Sequence, residues 1–142
     1  MKKLIFLGVA LISMSFMSAQ KVSEKEVPAA VKAVLKTNYP NAKDLKWEKE
    51  RRNFEAEFEI GKTDYSVLIN PAGRILETEM EIPKDELPGS VFGYIMKNYP
   101  RDKIKEATKI TNRNHVVRYE VEVEDYDLIF NSAGKFLRRT KN

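Results

Sequence analysis

The feature that most constrains this chain is that it is written twice. Residues 27–40 read VPAAVKAVLKTNYP and residues 87–100 read LPGSVFGYIMKNYP, so Pro, Val and a closing Asn-Tyr-Pro coincide at an offset of 60. Tyr65–Gly73 aligns with Tyr126–Gly134 at an offset of 61, through Asn-Pro-Ala-Gly in one copy and Asn-Ser-Ala-Gly in the other. Between them, Phe54-Glu-Ala-Glu-Phe58 aligns with Tyr119-Glu-Val-Glu-Val123 at an offset of 65. The changing offset means that loops differ in length: the second copy has a longer connection before Tyr119 and a tighter turn after Val123. Two copies are too few for a solenoid, so the fold is expected to be a duplicated unit with two pseudo-equivalent halves.

Each half opens on a helical pattern. Val27, Val31, Val34, Leu35 and Tyr39 recur at helical spacing, as do Leu87, Val91, Tyr94, Ile95 and Tyr99. Pro28 and Pro88 are tolerated only in a first turn, and Pro40 and Pro100 end each helix near the Asn-Tyr pair. Ser23 with Glu26 has the spacing of a capping box. The remainder of each half alternates with period two, as half-buried strands do. Phe54, Ala56, Phe58 and Ile60 share one face and Glu55, Glu57 and Glu59 the other; Glu77, Glu79 and Glu81 are likewise opposite Thr78, Met80 and Ile82. Glu120, Glu122 and Glu124 repeat the outward row beside Arg118. The expected fold class is α+β: two tandem repeats, each a helix on an antiparallel meander of about four strands. The inner face is covered by the helix and the outer face is wet. The expected divisions are 1–19, 20–82 and 83–142, the two repeats forming one compact unit.

Residues 1–19 read as a secretory signal peptide. Lys2 and Lys3 precede an apolar run of 14 residues, Leu4 to Met17, and Ser18-Ala19 places a cut before Gln20. The run falls short of the roughly 20 residues of a spanning helix, so no stable membrane insertion is expected after cleavage. A periplasmic or secreted location follows. The chain has no cysteine, so in an oxidising compartment it depends on its core and not on disulfides. Removing Lys2 and Lys3 lowers the formal charge from +4 to +2. Acidic and basic residues are interspersed, which gives no nucleic-acid footprint. With a single histidine and no thiol, histidine-based and thiolate chemistry are nearly removed.

The doubled helix-plus-meander and its two Asn-Tyr-Pro helix ends resemble the PepSY-like family, small exported bacterial proteins also described as beta-lactamase-inhibitor-like. The residues carrying the resemblance are Val27-Pro28, Tyr39-Pro40, Lys46-Trp47-Glu48, the Phe54 to Phe58 alternation, Asn70-Pro-Ala-Gly73 and their second-copy partners. The resemblance implies a helix-backed sheet in each half, an open sheet face available to a partner, and a periplasmic or secreted protein of a Bacteroidetes-type bacterium. It carries over no catalytic or inhibitory residue. Restraint of a peptidase is suggested by analogy alone.

Candidate residues carry two readings each. His115 is expected in an exposed turn, where nothing local supplies a nucleophile or an orienting group. Trp47 is either a core residue or an interface anchor. Ala29 and Ala33 correspond to Gly89 and Gly93, marking either close backbone approach or a tolerant wet face. Glu55, Glu57, Glu59, Glu77, Glu79, Glu81, Glu120 and Glu122 are candidate partner-binding residues on an acidic sheet face. The bland alternative is a solvated face kept soluble by charge. Glutamate rows lack the loop Asp, Asn and Gly of calcium sites, so no metal and no cofactor are expected. The expected function is a non-enzymatic exported binding module, a protein or peptidase inhibitor in its most specific form. The alternative is a structural or accessory envelope protein.

Overall fold

In the computed structural model, residues 19–142 are described. The signal-peptide reading of residues 1–19 therefore falls almost wholly outside the described residues. Contacts group the chain into two compact units, one ending at Ile75 and the other running Leu76–Asn142.

The first unit contains strand β1 (Gln20–Val22), a 3₁₀ turn (Glu24–Glu26), helix α1 (Ala29–Asn38), and strands β2 (Lys43–Glu50), β3 (Asn53–Ile60) and β4 (Thr63–Ile69). The four strands pair antiparallel in chain order. Val31 and Leu35 of α1 join Trp47, Phe54, Ala56, Phe58, Val67 and Ile69 in one buried cluster. The capping pair acts on the 3₁₀ turn and not on α1: the Ser23 amide donates to Glu26 Oε2 at 2.7 Å and the Ser23 hydroxyl at 2.9 Å. Helix α1 begins after Pro28 and ends at Tyr39, whose amide donates to the Leu35 carbonyl at 2.8 Å.

The second unit contains all but the first residue of β5 (Ile75–Glu81), then a 3₁₀ turn (Lys84–Glu86), α2 (Gly89–Asn98), β6 (Ile104–Asn112), β7 (Val117–Val123), β8 (Tyr126–Asn131) and β9 (Phe136–Lys141). Strands β5 to β9 also pair antiparallel in chain order. Val91 and Ile95 of α2 lie with Leu87, Ala107, Val121, Val123, Leu128 and Phe130 in the second cluster.

Strand β5 explains why the units meet at Ile75/Leu76 while the repeat reads to Ile82. Its first residues align with Phe136 and Leu137, the closing strand of the second repeat; its last align with Gln20–Val22, the opening strand of the first. In the sequence the β5 segment thus overlaps the end of one copy and the start of the next. Its pairing of Glu77 to Glu81 with Asn112 to Thr108 assigns it to the second unit. The changing offset has a similarly local cause. The β3–β4 hairpin carries two rungs, Glu59↔Asp64 and Ile60↔Thr63, beyond Phe58↔Tyr65. The equivalent rung in the second unit, Val123↔Tyr126, is the last before the turn.

Both Asn-x-Ala-Gly turns dock onto the first turn of their own helix. Gly73 has φ +84°, and a Cβ there would sit 2.8 Å from the Ala30 carbonyl oxygen. The Ser90 hydroxyl donates to the Ala133 carbonyl at 3.0 Å. Gly89 and Gly93 behave differently: a Cβ at either meets nothing within 4 Å. The close-approach reading of those two glycines therefore fails, and they lie on an open helix face.

Candidate functional site

The outer sheet faces are built by register. In the first unit, Lys46 stands opposite Glu57, and Glu57 opposite Ser66. The rung on one side of it runs Glu48, Glu55, Leu68, and the rung on the other side runs Lys43, Glu59, Asp64. In the second unit the row equivalent to Lys46–Glu57–Ser66 is Glu106–Glu122–Asp127, three carboxylates on successive strands. Beside it run Thr108–Glu120–Ile129 and Ile110–Arg118–Asn131. Glu81 stands opposite Thr108, Glu79 opposite Ile110 and Glu77 opposite Asn112.

This face is not uniformly wet, which corrects the expectation from strict alternation. Glu55 is 1 % exposed and Glu79 5 %, with Ser66, Thr108, Ile110 and Ile129 buried on the same side. Glu57, Glu59, Glu77, Glu81, Glu120 and Glu122 are half-buried. The sequence carried a signal for this. Val67-Leu68-Ile69 and Leu128-Ile129-Phe130 are continuous apolar runs, and a strand apolar on successive residues buries both faces.

Burial changes the acids. Glu55 is pushed up to about 8 by loss of solvent, against the Ser66 hydroxyl, which donates to Glu55 Oε1 at 2.8 Å. Its neighbours Glu57, Glu48 and Glu50 push the same way. Glu120 is also pushed up to about 8, first by burial, then by Asp127 and Glu106, with Arg138 opposing. Asp127 is raised by burial and by Glu122, while the Asn142 side-chain amide pulls it back. Like charges directly opposite in a sheet destabilise it. Register lines up three carboxylates, Glu106, Glu122 and Asp127, on successive strands.

The remaining candidates sort plainly. Trp47 is a core residue, 5 % exposed, and its Nε1 has no protein acceptor among the described residues. His115 is exposed at φ 61° in the turn between β6 and β7. Among the described residues, no group of three or more His, Asp or Glu is placed to hold a metal ion. No helix among them is long and apolar enough to cross a membrane.

Sequence reasoning missed a second feature. Tyr94 and Asn98 of α2 and Tyr99 just past its end, with Phe136, Arg138 and Arg139 of β9, line a groove of about 360 Å³. The Arg139 side chain is held in place there. The Arg139 guanidinium lies 4.8 Å above the Tyr126 ring, and its Nη1 donates to the Tyr99 hydroxyl at 3.3 Å.

Comparison with known proteins places this architecture. The family model described as "Putative beta-lactamase-inhibitor-like, PepSY-like" matches twice, over residues 15–77 and 70–138. The two matches overlap at 70–77, where β5 begins. A structure of a protein described as among "putative periplasmic proteins" from Bacteroides eggerthii is similar at 20 % identity and a TM-score of 0.75, covering 81 % of this chain and 88 % of that one. A BLIP-like protein from Bacteroides fragilis is similar at 26 % identity and a TM-score of 0.67, covering 80 % of this chain and 86 % of that one. No curated protein matches.

Proposed function

We propose a binding function for this chain, which belongs to the PepSY-like, beta-lactamase-inhibitor-like family. It is an exported, non-enzymatic module whose acidic sheet face docks a basic surface of a partner protein. Restraint of an exported enzyme is the form of binding that a beta-lactamase-inhibitor-like fold suggests, a peptidase being suggested by analogy alone. Export rests on the signal-like residues 1–19 and on a fold shared with the Bacteroides proteins above. The observation that carries the reading is the Glu106–Glu122–Asp127 row. The repeat equivalent in the first unit is Lys46–Glu57–Ser66, so the scaffold does not require three carboxylates there.

Immobilised protein should capture a partner from the envelope and secreted fractions of its own bacterium. The expected result is one enriched exported protein with a basic surface, released as ionic strength rises, because interactions between exposed charges are screened within about 10 Å at 0.1 M salt. Folded bait that enriches nothing specific would overturn the reading and favour an accessory envelope role.

A further inference from the structure

We propose that the groove between the C-terminal end of α2 and β9 binds a small aromatic carboxylate. Its volume, about 360 Å³, lies at the lower end of small-molecule sites. Its wall is a rigid aromatic platform: the Tyr94 and Phe136 rings stack at 4.5 Å with 11° between their planes. Phe130 sets an edge against each of them, at 5.5 Å and 5.8 Å. A flat ring slides against such a surface with little side-chain reordering.

The opposite requirement, a fixed positive fork, is met by Arg139. Its guanidinium is held over Tyr126 and tied to Tyr99 before any ligand arrives. The groups acting on it are Tyr99, Tyr126 and Tyr94, with no carboxylate among them. One hydrogen bond to Tyr99 leaves the fork able to grip a carboxylate through parallel N–H groups. Arg138, its neighbour on β9, turns to the other side of the sheet, where it acts on Glu120, so the charge offered to the groove is that of Arg139.

The internal repeat supplies an independent argument. Asn98 and Tyr99 have the identical partners Asn38 and Tyr39 in the first repeat. The other four lining positions, Tyr94, Phe136, Arg138 and Arg139, correspond to Val34, Ile75, Glu77 and Thr78. The same scaffold is thus built without the platform or the arginines. Tyr94 and Phe136 pack on the second core as well as lining the groove, and Arg139 brings to it a charge that the first repeat lacks at Thr78.

The test is a titration of ¹⁵N-labelled protein with phenylacetate. Saturable amide shifts are expected along Tyr94 to Tyr99 and Phe136 to Arg139, with a Kd of about 1 mM, as befits a ligand of this size. Phenylacetamide, neutral and nearly isosteric, should bind at least about tenfold more weakly, as should phenylacetate to Arg139→Gln. Arg139→Lys should fall between, keeping charge without the fork. Tyr94→Val with Phe136→Ile should lose binding while remaining folded, since each new residue stands at the equivalent place in the first repeat. Equal binding of the amide, shifts mapping elsewhere, or no saturation would overturn the proposal. A peptide ending in a free phenylalanine carboxylate that binds more than about tenfold tighter than phenylacetate would also overturn it, assigning the groove to a chain terminus.

Discussion

Glu55 and Glu120 stand at equivalent positions in the two repeats, and both are held protonated to about pH 8 by the same cause, loss of solvent. A carboxyl whose folded value lies above its unfolded value stabilises the fold fully below the unfolded value, about 4.5. That contribution is lost as pH rises through the folded value, about 8. Stability should therefore decline between pH 5 and pH 9. Glu55→Gln keeps an acceptor for the Ser66 hydroxyl and cannot ionise, so it should raise the unfolding free energy at pH 9 by about 1–3 kcal/mol and flatten the decline. Urea unfolding at the two pH values checks this; an unchanged slope would show that Glu55 does not titrate with folding. Alternation alone places Glu55 in water. Period two reports which residues share a face, not whether that face is covered. The covering appears only in the neighbouring strands, where Leu68 and Ile129 break the alternation.

Helices and hairpins were the most legible elements, because each boundary is written in local chemistry. Proline brackets α1 and α2, and glycine at positive φ closes both Asn-x-Ala-Gly turns. The three-residue β1 and the two 3₁₀ turns were not legible, since so short a segment shows no period. Strand β1 is recognisable only through pairing, Val22 opposite Trp47. The turns also locate the helices, a role the sequence did not display. Gly73→Ala would place a Cβ against the Ala30 carbonyl and force an L-residue to φ +84°. It should cost about 2–4 kcal/mol, combining left-handed strain of about 1–2 kcal/mol with a displaced helix start. Gly93→Ala, in open space on α2, should instead stabilise by about 0.5–1 kcal/mol. Chemical denaturation of both variants checks the contrast. Equal effects would mean that the turn does not bear on the helix.

For the molecule as a whole, duplication supplies a built-in comparison. Where the repeats agree, at the Asn-Tyr helix ends, the Asn-x-Ala-Gly turns and the inner alternation, the residues answer to folding. Where they differ, in the acidic row on the outer face and at Arg139 of the groove, the shared scaffold does not require the residues. The fold class and the repeat were readable because periodicity and punctuation are local. The site was only partly readable, because Glu106, Glu122 and Asp127 belong to three strands and meet only through register. The measurement that bears most directly on the binding claim uses Glu122→Lys. That change removes two like-charge contacts across strands, each worth a few tenths of a kcal/mol, so the fold should be as stable or slightly more stable. Capture from envelope and secreted fractions, run side by side on wild-type and Glu122→Lys protein with thermal unfolding of each, should show the enriched exported protein lost from the variant while its melting temperature holds or rises. Undiminished capture by a fully folded Glu122→Lys protein would contradict the account.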